Sequence, residues 1–202
     1  RRAGPHARSH AVTPPSAEQT ASPVIEWRAV TVDYGRRRAG QPGARALDGV
    51  TLAVQPHDFL ALVGPNGSGK STAILAALGL VPASGGQARV FDTVLHAGHP
   101  RFRDIVYVPE EPIYHDYLTV SEAIAYYATL NGQRPSADAL AATLDRLQLT
   151  SARHTRVSAC SKGMKQKIGL AQCLLQRPTL LVLDEPMRGL DPLAVREVRE
   201  VL

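Results

Sequence analysis

Gly64-Pro65-Asn66-Gly67-Ser68-Gly69-Lys70-Ser71-Thr72 is a complete G-x-x-x-x-G-K-[ST] stretch, set between the apolar run Phe59-Leu60-Ala61-Leu62-Val63 and the run Thr72-Ala73-Ile74-Leu75-Ala76-Ala77-Leu78. Each residue type in it answers a chemical need. Glycines let the backbone wrap closely enough for its N–H groups to point at phosphate oxygens, a lysine reaches the outer phosphates, and the neighbouring hydroxyl can ligate Mg2+. A glycine-rich surface turn could carry the same letters, and the flanks decide against it. Phe59 to Val63 predicts a strand buried on both faces, and the residues from Thr72 onward are rich in helix formers. Strand, loop, helix is the order that phosphate binding requires.

The second half of such a site reads from Thr179-Leu180-Leu181-Val182-Leu183-Asp184-Glu185, an apolar strand ending in two acids. Asp184 is placed to serve a magnesium ion beside the phosphate loop. Glu185, one residue further, is placed to act as general base on a water in line with the outer phosphate. An Asp-Glu-Pro turn with no role is the bland alternative, and the phosphate loop upstream outweighs it.

Composition sets the frame. The chain has 202 residues, 44% of them apolar and 20% charged, as expected of a globular domain with one core and room for an inserted subdomain. No apolar run approaches the roughly 18 residues that a membrane-spanning helix needs, and no basic-then-apolar leader opens the sequence. Cys160 and Cys173 are too few for a disulfide framework and are not spaced for a metal, so reduced thiols of a cytosolic chain are expected. The net charge of +5 leans on Arg1, Arg2, Arg8, Arg36, Arg37, Arg38 and Arg45, and with only 5% aromatic residues it reads as solvated surface. No nucleic-acid partner is expected. Residues 1 to 22 hold Pro5, Pro14 and Pro15 among small polar residues and predict a disordered tail.

Alternation from Val24 predicts a first strand, and Thr51 to Val54 and Gln87 to Phe91 predict further strands of a small antiparallel layer. Val106-Tyr107-Val108 reads as a short buried strand. Thr119-Val120-Ser121-Glu122 matches a capping box that opens a helix running to about Leu130, with Asn131-Gly132 as its stop. Ser136 opens a second helix in which Leu140, Leu144 and Leu147 recur at helical spacing, a stripe too short for a coiled coil and expected to pack in a core. These helices form an insert over about 111–160. A third helix is expected from Lys162 to just before Arg177-Pro178.

With these segments in order, the chain resembles the nucleotide-binding subunit of ATP-binding cassette (ABC) transporters. Cys160-Ser161-Lys162-Gly163-Met164-Lys165-Gln166 resembles the family signature, in the S-K-G-M-K-Q form of ABC-2 type exporter ATPases. Gly189-Leu190-Asp191-Pro192 resembles the D-loop, Tyr34 the aromatic that stacks on adenine, and Val108-Pro109-Glu110 the Q-loop. The resemblance runs from about Val24 to the end of the chain. It implies an α/β fold, a P-loop NTPase (RecA-like) parallel sheet core with a small antiparallel β layer and an inserted helical subdomain, over residues 23–202.

The resemblance also implies ATP and Mg2+ as cofactors. Tyr34, Gly64, Pro65, Asn66, Gly67, Ser68, Gly69, Lys70, Ser71 and Thr72 would hold the nucleotide; Ser71, Asp184 and Glu110 the metal; Glu185, Lys70 and Glu110 the catalysis. Ser161 and Gly163 would meet the outer phosphate held by a second ATPase subunit, identical or not, in a head-to-tail dimer. Read alone, a hydroxyl and a glycine at a helix start make an anion site, and a plain helix cap remains the alternative for Ser161. Separate transmembrane permease subunits are implied as partners, with the ATPase at the cytoplasmic face of the membrane.

Three departures stand out. Glu110 replaces the usual glutamine, and Cys160 the usual leucine or tyrosine. The family's switch histidine, expected after the D-loop, is not found, since the last histidine is His154. The expectation is a domain incomplete at its C-terminus, with an open strand edge that promotes aggregation. Two rival readings follow. One is an ABC ATPase acting on ribosomes or DNA, which would carry tandem cassettes or long coiled coils; the other is a silent nucleotide-binding module, favoured by the missing histidine and opposed by Glu185.

Overall fold

The computed structural model describes residues 22–35 and 43–187, with Val195 and Arg196. The expected tail before residue 22, the Arg36-Arg37-Arg38 run, the D-loop-like Gly189 to Pro192 and most of the helix expected from Leu193 lie outside the described residues.

β1 (Ile25–Tyr34), β2 (Ala44–Val54) and β3 (Gly85–Val90) form the expected antiparallel layer in the order β2-β1-β3. Alternation sends Ile25 and Trp27 inward while Glu26 and Arg28 face outward, and a bulge at Ala29, whose φ is 48°, hands the inward face to Val30 and Val32. Helix α1 (Lys70–Ala77) lies on that face through Ala73, Ala76 and Ala77. Alanines let helix and sheet approach closely, and Trp27 uses the proximity: its indole N–H donates to Ala73 O at 3.0 Å in a buried position. A buried N–H left unpaired would cost about 1–3 kcal/mol, so this bond fixes α1, and the loop before it, on the sheet.

β4 (Ile105–Val108) and β5 (Leu180–Leu183) pair in parallel, Ile105 opposite Leu180 and Val108 opposite Leu183. Between them run α2 (Val120–Leu130), α3 (Ala137–Arg146) and α4 (Lys162–Gln176). These helices share a second core built on Val120, Ile124, Leu144, Leu147, Ile168 and Leu170, with Leu140 packed against it. The leucine stripe thus packs as expected. The capping box forms in both directions: Glu122 N–H donates to the Thr119 hydroxyl and Thr119 N–H to the Glu122 carboxylate. Ser136 caps α3 by accepting from Ala139 N–H at 3.1 Å. Arg177 ends α4 in the left-handed region, φ 48°, because Pro178 behind it disfavours helical backbone.

One expectation is corrected. Phe59 to Val63 is not a strand buried on both faces; it has no ladder partner among the described residues, and Phe59 is 98% and Val63 92% exposed. Apolar composition supplies a reason to be buried, but a strand in a sheet interior also needs neighbours that take its N–H and C=O groups. β5 shows a milder form of the same effect, with Leu181 exposed.

Candidate nucleotide site

The loop from Gly64 to Gly69 enters α1 through a residue that must be glycine. Gly69 has φ 92°, and a Cβ there would stand 2.6 Å from Ala46 O and 2.8 Å from Leu47 Cδ2. The loop therefore lies directly on β2. At its far end the Lys70 ammonium turns back and donates to Gly64 O at 2.9 Å and Pro65 O at 3.1 Å. The lysine closes the loop on itself, and a phosphate bound there would take over these bonds with a full opposite charge.

The Ser71 hydroxyl donates to Asp184 Oδ1 at 3.1 Å, bridging two residues 113 positions apart. Asp184 is buried, and its N–H donates to Val108 O at 2.9 Å, so the end of β4 holds the carboxylate in place. Glu110, half-buried, follows Val108 by two residues. Among the described residues no group of three or more histidine, cysteine or acidic side chains gathers. A hydroxyl and a buried carboxylate side by side are what Mg2+ uses, since it takes few protein oxygens and completes its shell with phosphate and water. The residues present fit that ion.

Tyr34 stands at the edge of the loop, 43% exposed, with its hydroxyl 3.4 Å from Thr72 Oγ1. Glu185 leaves β5 with φ 46° immediately before Pro186. A left-handed backbone at a non-glycine residue stores roughly 1–3 kcal/mol, and such strain clusters at functional positions. Ser161 acts as the N-cap of α4, accepting from Met164 N–H at 3.2 Å, and Gly163 lies in the first turn, which carries no acidic residue. The cap reading of Ser161 therefore holds. Lys162 reaches Glu111 at 3.7 Å, joining the signature-like turn to the loop that follows β4.

Burial pushes the Cys173 thiol up to about 11, and burial together with the charge of Asp184 pushes the Tyr107 phenol up to about 12. Cys160, raised by burial against the pull of Lys165, donates its thiol to Arg156 O. Structure thus joins Lys70 to its own loop, Ser71 to Asp184 and Tyr34 to Thr72. Sequence reasoning placed Tyr107 in a strand and Gln166 in the signature-like stretch but gave neither a role of its own, and it missed His115 among the rings of Tyr117, Tyr126 and Tyr127. Their letters are visible in the sequence, but only the fold brings them to the site or to one another. A cleft of about 320 Å3 opens away from the phosphate loop, lined by Leu78, Phe102, Val108, Ile113, Tyr114 and Gln172.

Comparison with known proteins agrees with this geometry. The family model described as ABC transporter matches residues 47–188. An uncharacterised ABC transporter ATP-binding protein of Bacillus subtilis (strain 168), YdbJ, is 35% identical over 76% of this chain and 50% of its own length. The fluoroquinolones export ATP-binding protein MT2762 of Mycobacterium tuberculosis (strain CDC 1551 / Oshkosh) is 33% identical over 89% of this chain and 58% of its own. The chain spans about half the length of the curated relatives it matches. Among solved structures, an ATP-binding subunit of an ABC transporter superposes with a TM-score of 0.72 at 31% identity, over 88% of this chain and 72% of that one. A dimeric post-hydrolysis state of the ATP-binding cassette MJ0796, bound to ADP and Pi, shares the fold at a TM-score of 0.76 and 20% identity, over 88% and 80%. With the family model matched across both halves of the site, this chain belongs to the ABC transporter family, as an ATP-binding domain of the P-loop α/β fold.

Proposed function

We propose that this chain binds and hydrolyses ATP as the motor subunit of an ABC exporter whose membrane-spanning parts are separate polypeptides. The observation that carries the reading is the meeting of Ser71 with buried Asp184 beside Lys70, at the start of α1. The Tyr34 ring stacks on adenine, and backbone N–H groups of residues 64–72 surround the phosphates with Lys70 on the outer ones. Ser71 and Asp184 would hold Mg2+, with Glu110 adjoining, and the bound ion would supply positive charge against the transferring phosphoryl group. Glu185 orients and deprotonates the attacking water. Lys70 and the loop amides supply preorganised positive charge where the transition state is most negative, the term that carries most of the acceleration.

Ser161 and Gly163, at the start of α4, present the capped helix N-terminus to the outer phosphate on a second ATPase subunit, so ATP joins two subunits and hydrolysis releases them. Motion passes through the Glu110 loop and the helical insert of about 111–160, with α2 and α3, to the permease at the cytoplasmic face of the membrane. Export as the direction rests on the S-K-G-M-K-Q signature and is supported by the similarity to a protein named for fluoroquinolone export. No helix among the described residues is long and apolar enough to cross a membrane.

The test is steady-state hydrolysis of Mg-ATP by the purified chain, with Glu185→Gln as the blank. Turnover above the blank supports the motor reading. Nucleotide binding with turnover equal to the blank replaces it with a silent nucleotide-binding module.

A further inference from the structure

Gln166 is 1% exposed, and neither its amide nitrogen nor its amide oxygen has a hydrogen-bond partner. A carboxamide sealed from water with both bonds unmade is penalised, and its place in the fold is where the explanation lies. Lys162, Gln166 and Gly169 are spaced i, i+4, i+7 and form one stripe along α4. At one end of the stripe, a Cβ on Gly169 would stand 3.0 Å from Val108 Cγ1 and 2.9 Å from the Tyr114 hydroxyl. At the other end, Lys162 reaches Glu111. Gln166 lies between these two contacts on the stripe, which places it level with the chain where it leaves β4 at Pro109 and Glu110, next to the strand end that holds Asp184.

We propose that Gln166 is a positioning residue for the Glu110 loop: when Mg-ATP fills the phosphate site, the loop settles onto α4 and its backbone takes the hydrogen bonds that the Gln166 carboxamide lacks without nucleotide. The inference rests on the proposed role of Glu110 beside the metal. Pro109 brings a C=O and no N–H, while Glu110 brings both, so the segment offers an acceptor for the amide nitrogen and a donor for its oxygen. Gln166 thereby connects occupancy of the nucleotide site to the signature helix, through a group that touches neither phosphate nor metal.

The experiment compares the wild-type chain with Gln166→Leu, and with Gln166→Met as a second variant of near-equal length should the first fail to fold. Hydrogen exchange of 109–118 is followed with and without Mg-ATP, beside nucleotide affinity and the melting temperature of the nucleotide-free protein. The expected result is that Mg-ATP slows exchange in the wild type by about tenfold, the value of one hydrogen bond. The variants are expected to lose that protection, to bind Mg-ATP more weakly by up to the same tenfold because the lost bonds belong to the bound state, and to melt without nucleotide at or above the wild-type temperature. Unchanged protection in either variant overturns the inference and leaves the site reading intact, as does a variant whose affinity and melting temperature fall together, since Gln166 would then be only packing. A wild type that binds no Mg-ATP overturns both.

Discussion

The Ser71 hydroxyl and the Asp184 carboxylate are hydrogen-bonded at 3.1 Å, so the two oxygens that would share a magnesium ion already share a proton. A metal entering between them would exchange a modest hydrogen bond for an ionic contact to the carboxylate and an ion–dipole contact to the hydroxyl. Nucleotide should therefore stabilise the fold more with magnesium than with a chelator present, the total with magnesium reaching about 2.7 kcal/mol at a hundredfold excess over Kd. In Asp184→Asn the magnesium-dependent part should vanish while a metal-free nucleotide shift survives. Equal shifts with and without magnesium in the wild type would falsify this metal assignment.

Lys70 spends its charge on Gly64 O and Pro65 O. Its removal should weaken nucleotide binding far more than it weakens the fold, since the carbonyls it releases lie on an exposed loop that water can reach. Lys70→Met is expected to lose at least tenfold in ATP affinity, from a charge-assisted contact worth roughly 1.5–3 kcal/mol, with a melting temperature near wild type. Titration of a fluorescent ATP analogue beside a thermal melt checks both halves. A large loss of stability would mean that the lysine holds the loop together.

Gly169 is a packing requirement. Alanine in a helix interior would gain about 1 kcal/mol of propensity, yet its methyl group would press on Tyr114 and Val108, and overpacking costs about 1–3 kcal/mol. Gly169→Ala should be destabilised on balance, and adding Tyr114→Phe should recover part of the loss by removing the hydroxyl 2.9 Å from the new carbon. Urea denaturation of the two single variants and the double variant decides it. Strictly additive effects would place the clash elsewhere.

Alkaline stability follows from Cys173. Its thiol is raised by burial from about 9 to about 11, so at pH between these values the folded thiol keeps a proton that the unfolded one has lost. The unfolded state then binds fewer protons, and stability falls as pH rises through that window, by at most about 1.4 kcal/mol per pH unit from this group. Tyr107, raised to about 12, extends the decline upward. Urea midpoints measured from pH 8 to 11 should drop less steeply in Cys173→Ala than in wild type; parallel slopes would assign the decline to other groups.

Local signals were legible in the sequence because few residues decide them. Thr119 with Glu122, Ser136 with Ala139, and Gly69 at the head of α1 each settle a helix end within four residues. The phosphate loop and the Asp184-Glu185 pair were legible for the same reason. Pairing was not legible, because a strand is made by its neighbour: Phe59 to Val63 has the composition of a central strand and lies exposed and unpaired among the described residues, whereas Ile105 to Val108 is a strand through Leu180 to Leu183 beside it. Orientation was hidden as well. Nothing in the letters around Gln166 separates an amide facing water from one enclosed in protein.

Trp27 is the sole tryptophan of the chain, and its indole N–H is clamped to Ala73 O, three residues beyond Lys70 on the same helix. The protein thus carries its own optical probe at the base of the phosphate loop. Emission from that indole should be blue-shifted in the native state, because the ring is buried, and any ligand that tilts α1 must register as a change in its intensity without an added label.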